Sequence, residues 1–173
     1  MPVLTLDEIN NSFPEKTYKL PVIHNPNWWT ELDDITLPNP IRVEFNENIK
    51  ENIPEDIKNN KGIYMFFLEP NYPFNPSIKH LVYVGRVREG STNFSFFKRF
   101  NAYRNAIGNQ NESRNKVLLT NLWPNHTFVY FYSLSDLRDV DIVELEDLLI
   151  KKIVPPLNSK IGGKAGDTRN FYN

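Results

Sequence analysis

The chain contains no cysteine, which excludes disulfides, thiolate nucleophiles and cysteine-based zinc sites. Its three histidines, His24, His80 and His126, stand far apart without ligand-like spacing, so a zinc-dependent reaction is not expected. No run approaches the ~18 consecutive apolar residues of a membrane-spanning helix. The opening Met1-Pro2-Val3-Leu4-Thr5 lacks the basic start of a signal peptide. These absences predict a cytoplasmic protein with no membrane partner. Overall charge is also nearly absent, with a formal net of −1, yet the small total conceals an uneven distribution.

Residues 1–60 hold eleven Asp and Glu against five Lys and Arg, whereas residues 61–173 hold ten against fifteen. The basic excess gathers in Arg86, Arg88, Lys98, Arg99, Arg104, Arg114 and Lys116, opposed over that stretch only by Glu89 and Glu112. Such a cluster can bind a phosphate backbone through counterion release. At 173 residues and 40% hydrophobic content the chain can bury one substantial core. The reading is one domain over 61–160, preceded by an acidic extension over 1–60 and followed by a flexible Gly-rich tail over 161–173. The tail lacks the glycine and lysine spacing of a phosphate-binding P-loop.

Periodicity predicts strands over 62–68, 80–86 and 127–133 and helices over 93–105, 112–122 and 139–154. Between the first two strands, residues 69–77 include Pro70, Pro73 and Pro76, which forbid a regular ladder and predict an enlarged loop. In the extension, residues 4–13 are expected to be able to form a short helix with Thr5 as its cap, and 41–45 alternate like a strand able to join the sheet. The extension is therefore expected to pack on the domain, with Trp28 and Trp29 as core or docking residues. Its negative charge suits contact with a partner protein or shielding of the basic face.

Two short motifs carry the chemistry. Gly62-Ile63-Tyr64 and Tyr83-Val84-Gly85 place two phenols on neighbouring strands and two glycines where backbone or side chain approaches closely. The helix that follows has apolar residues at 96, 97, 100 and 103, with Arg99 beside that face and Tyr103 one turn further on. The last helix carries Glu146 among apolar neighbours and is stopped by Pro155-Pro156, with Asn158 just beyond. Glu144 is the weaker carboxylate, about 200° round the helix from Glu146.

In type and order these elements resemble the GIY-YIG nuclease superfamily over residues 61–160. The resemblance implies an α/β (α+β) sandwich, a small antiparallel β-sheet flanked by helices. It also implies a Mg²⁺- or Mn²⁺-dependent endonuclease that hydrolyses DNA, double-stranded in the first instance, in restriction or phage defence. On that reading Tyr64, Tyr83, Arg99, Tyr103, Glu146 and Asn158 are catalytic, and Gly85, Arg86, Lys98 and Arg104 bind substrate. Glu146 holds the metal, Arg99 the scissile phosphate, Tyr64 accepts or orients a proton with help from Tyr103, and Asn158 orients a helix end or a tyrosine. The reading requires these side chains to converge on one cation and one phosphate. A homodimer would suit a twofold target. A non-cleaving nucleic-acid or protein-binding module of the same fold, or an RNase, is the alternative.

Overall fold

The structure, a computed structural model, describes residue 22 and residues 29–158, apart from 71–77, 91–93, 110, 122 and 124. The expected helix over 4–13, Trp28, most of the enlarged loop and the tail over 161–173 lie outside the described residues. Strands β1 (Ile41–Glu44), β2 (Gly62–Leu68), β3 (His80–Val87) and β4 (Thr127–Ser133) form one antiparallel sheet in the order β1-β4-β2-β3. Helices α1 (Ile49–Asn52), α2 (Glu55–Lys58), α3 (Phe96–Arg104), α4 (Arg114–Asn121) and α5 (Asp139–Ile153) flank it, giving a small α+β architecture.

Strand β2 is paired on both sides and covered on both faces, which explains its unbroken apolar run. Tyr64 and Phe66 turn toward a layer built from α1 to α4, while Ile63 and Met65 turn toward α5. The first layer is aromatic. Phe100 meets the Tyr64 ring edge-on at 5.1 Å, and Phe96 and Phe100 pack against Phe131 at 5.0 and 4.8 Å. Residues 41–60 belong to the same core. Strand β1 pairs with β4, and Phe45, Ile49, Ile53 and Ile57 are buried beside Phe66. Trp29 is 38% exposed.

The register slips between Phe66, opposite Tyr83, and Phe67, opposite Leu81. Val82 is the extra residue of this bulge, so Val82 and Tyr83 both pack against the aromatic layer. Helix α3 begins later than its periodicity predicts because the Ser95 side chain accepts the Lys98 N–H at 3.3 Å and fixes the first turn at Phe96. Helix α5 buries Ile142, Glu146, Leu149 and Ile150, the spacing of one helix face. It ends at Val154, whose left-handed backbone (φ 54°) is unusual for a β-branched residue, and Pro155 and Pro156 prevent it from resuming.

The chain then runs along the outer edge of β3. Leu157 donates its N–H to the Val82 carbonyl at 2.9 Å. The Asn158 carboxamide accepts the Val84 N–H at 2.9 Å and donates to the Val84 carbonyl at 2.7 Å. One side chain thus does for the sheet edge what another strand would do. Among the described residues no helix is long and apolar enough to cross a membrane.

Candidate functional site

Strand β2 and helix α3 bring Tyr64, Arg99 and Tyr103 together. Arg99 Nε donates to the Tyr64 hydroxyl at 2.9 Å and Nη2 reaches the Tyr103 hydroxyl at 3.5 Å, while the two hydroxyls lie 3.2 Å apart. The Tyr83 ring packs 6.2 Å from that of Tyr64. Gly85, directly across from Tyr64 on β3, leaves the space the phenol needs: a Cβ there would lie 2.4 Å from Tyr64 Cζ and 2.5 Å from its hydroxyl. Among the described residues Arg99 has no carboxylate partner. It faces an open cleft of about 340 Å³ between α3 and α4, with Tyr83 and Tyr103 on its own side and Ser113, Asn115 and Lys116 on the other.

Burial pushes the Tyr64 phenol well above its ordinary range, and neighbouring Tyr103 and Tyr83 add to the shift while Arg99 opposes it. Tyr83 is raised for the same first reason, with Tyr103 adding and Arg99 opposing. Burial works against the Arg99 charge, but Tyr64 and Tyr103 outweigh it and hold the guanidinium above its ordinary range. At neutral pH the protein's own groups therefore leave Tyr64 and Tyr83 protonated. In this environment the Tyr64 hydroxyl accepts the Arg99 N–H.

Glu146 sits elsewhere. Its carboxylate is buried, while Glu144 is exposed, and it forms an ion pair with Arg86, whose Nη1 also lies 3.7 Å from Asp147. Arg86 is opposite Ile63 and so shares the α5 face of the sheet, whereas its neighbour Gly85 faces Tyr64. The structure thus makes two groups where the sequence predicts one. Tyr64, Arg99 and Tyr103 approach β3 from one face, Arg86 and Glu146 from the other, and among the described residues no hydrogen bond or ion pair joins them. Alternation along β3 is the cause, since consecutive residues point to opposite faces. Asn158 bonds Val84, between Tyr83 and Gly85, and so locks the strand carrying both.

Lys98 and Arg104 do not join either group. Lys98 is exposed with its ammonium 3.7 Å from the Phe94 ring centre, and Arg104 Nε donates to the Glu47 carbonyl at 3.2 Å. At about 100° per residue they lie roughly 100° and 140° round α3 from Arg99. Ser113, Asn115 and Lys116 take the places expected of them. Lys116 belongs to the basic stretch visible in the sequence, but nothing in its spacing marks it as facing Arg99.

Among the described residues no three His, Cys, Asp or Glu side chains gather as a metal cage. The donors at Glu146 are carboxylate oxygens only, with Asp147 at the margin. One carboxylate suits a hard cation that keeps most of its water, such as Mg²⁺ or Mn²⁺, and not zinc. Comparison of the chain with protein-family models, curated proteins and solved structures gives no match.

Proposed function

We propose that the protein is a divalent-metal-dependent endonuclease of the GIY-YIG type that hydrolyses DNA phosphodiester bonds, in restriction or phage defence. The observation that carries this reading is Arg99, a largely buried guanidinium held by two phenols with no carboxylate partner among the described residues, facing an open cleft. A buried cation without an anion is costly, and a phosphate supplies the missing charge through paired N–H donors. Tyr64 and Tyr103 fix the guanidinium so that little reorganisation is needed as charge grows on the non-bridging oxygens. Glu146 is the residue that would hold Mg²⁺ or Mn²⁺; when bound, the cation supplies positive charge to the phosphate and lowers the pKa of the attacking water. Arg86, released from Glu146, offers a second cation. Substrate would cross the edge of β3 at Gly85 and Arg86, past the segment fixed by Asn158.

The test compares nicking of supercoiled plasmid by wild type, Arg99→Ala and Glu146→Gln with Mg²⁺ or Mn²⁺. Metal-dependent nicking is expected for wild type, with losses of about 10²-fold or more in each variant. The separation of Glu146 from Arg99 on the two faces of β3 favours a second reading, a nucleic-acid-binding module that does not cut. That reading prevails if wild type binds DNA with no metal-dependent nicking. Cleavage of labelled single-stranded RNA but not DNA would make the protein an RNase.

A further inference from the structure

We propose that the cleft between α3 and α4 seats a second phosphate of the bound strand, next to the one held by Arg99, and that Lys116 reaches it by exchanging Glu112 for the phosphate. The inference rests on the nuclease reading and names a binding residue for the same site. Among the described residues lining the cleft, Arg99 and Lys116 are cations and none is a carboxylate. At about 340 Å³ and open to solvent, the space exceeds what one phosphate fills and admits a stretch of backbone. Its walls combine charge with the Tyr83 and Tyr103 rings, a composition suited to a sugar-phosphate chain.

The polar groups at the cleft differ in how committed they are. Asn115 donates its amide to the Leu157 carbonyl at 2.7 Å, so it serves the segment that closes the edge of β3. Ser113 is exposed, and its backbone carbonyl accepts the Val117 N–H at 2.9 Å. The Lys116 ammonium lies 2.9 Å from Glu112, four residues earlier on the chain, with side-chain exposures of 24% and 30%. Such a partly solvated pair is weak and salt-sensitive. A phosphate facing both Lys116 and Arg99 carries the stronger claim on the ammonium, and Glu112 has solvent to turn into. Glu112 then acts as a competitor that keeps Lys116 occupied in the absence of substrate.

The two residues therefore have opposite expected effects, which a merely structural helix pair would not show. Binding of a short labelled DNA duplex, without divalent metal, is measured by fluorescence anisotropy across a series of NaCl concentrations. For Lys116→Ala the expected result is several-fold weaker binding and a slope of log affinity against log salt shallower by about 0.9. Lys116→Arg keeps the slope. Glu112→Gln binds several-fold tighter, and the double variant behaves as Lys116→Ala. In plasmid nicking followed over a range of DNA concentrations, Lys116→Ala raises KM by a larger factor than it lowers kcat. Thermal midpoints check that each variant is folded. If wild type binds and nicks DNA while Lys116→Ala keeps its affinity and slope, or Glu112→Gln weakens binding, the inference fails alone. If wild type neither binds nor nicks nucleic acid, it falls together with the nuclease reading.

Discussion

Gly85 decides whether Tyr64 and Arg99 can share a hydrogen bond. Tyr64 has no exposed surface, and the rings of Phe66 and Phe100 stand at its sides, so it cannot retreat from a methyl group placed 2.4 Å from its Cζ. Gly85→Ala should cost about 1–3 kcal/mol through overpacking and reduce nicking more than Lys98→Ala, which removes an exposed ammonium. Urea unfolding and a nicking assay measure the two effects; wild-type stability and activity in the Gly85→Ala variant would show that the phenol has room to move. Gly62 is under tighter control, because its φ of +151° disfavours any side chain and a Cβ would lie 2.1 Å from the Tyr132 carbonyl oxygen. Tyr64 itself makes a pH-dependent prediction. Its folded pKa is raised, first by burial, so its contribution to stability is complete below the unfolded value of about 10 and is lost as pH rises beyond it. Tyr64→Phe should flatten the alkaline loss of stability, leaving the part due to Tyr83, which is raised in the same direction. Urea melts from pH 7 to 11 test this, and an unchanged alkaline limb would remove the case for a protonated, orienting phenol.

The segment after α5 matters as an element because it closes the sheet edge on which both polar groups depend. Asn158 is 5% exposed and satisfies both backbone groups of Val84. Asn158→Leu leaves that N–H and carbonyl without partners, at about 1–3 kcal/mol for each buried group. The expected outcome is faster hydrogen exchange at the Val84 amide together with loss of activity; exchange at the wild-type rate would mean that the edge is held by other contacts. Much of this element order is legible in the sequence. The apolar run of β2, the helical spacing from Ile142 to Ile150, and Pro155-Pro156 each have one physical meaning, and the strand at residues 41–44 follows from its alternation. The site is less legible. The bulge at Val82 changes which residues of β3 share a face, and no local pattern announces it. Gly85 and Arg86 are adjacent in the sequence and read as neighbours at one site, whereas alternation along β3 sends one toward Tyr64 and the other toward Glu146. Lys116 faces Arg99 only because α4 packs beside α3, a tertiary fact that spacing along the chain does not encode.

At the scale of the whole molecule, Glu69 ties the ends of the sheet together. It follows β2, accepts Nε and Nη2 of Arg42 from β1 at 3.1 and 2.8 Å, and accepts the Tyr130 hydroxyl of β4 at 2.6 Å. Lys79, just ahead of β3, donates to the same Tyr130 hydroxyl at 2.5 Å. The network thus reaches β1 and β4 directly and the chain entering β3 through Lys79, while the Arg42 guanidinium stacks 3.6 Å from the Phe128 ring centre. Burial alone would raise the Glu69 pKa, but the Arg42 and Tyr130 hydrogen bonds outweigh it and hold the carboxylate below its ordinary range. A depressed folded pKa stabilises the native state above the unfolded value of about 4.3, and that contribution disappears as pH falls through the folded value. Glu69→Gln should therefore lower the thermal midpoint at pH 7 and make its decline between pH 5 and pH 3 shallower than in wild type. Nicking at pH 7, measured well below the midpoint, should remain near wild type, because Glu69 pairs with Arg42 and Tyr130 and contacts neither Arg99 nor Glu146. A midpoint that falls with pH as steeply in the Glu69→Gln variant as in wild type would assign acid sensitivity to other carboxylates and deny this network its role in holding the sheet together.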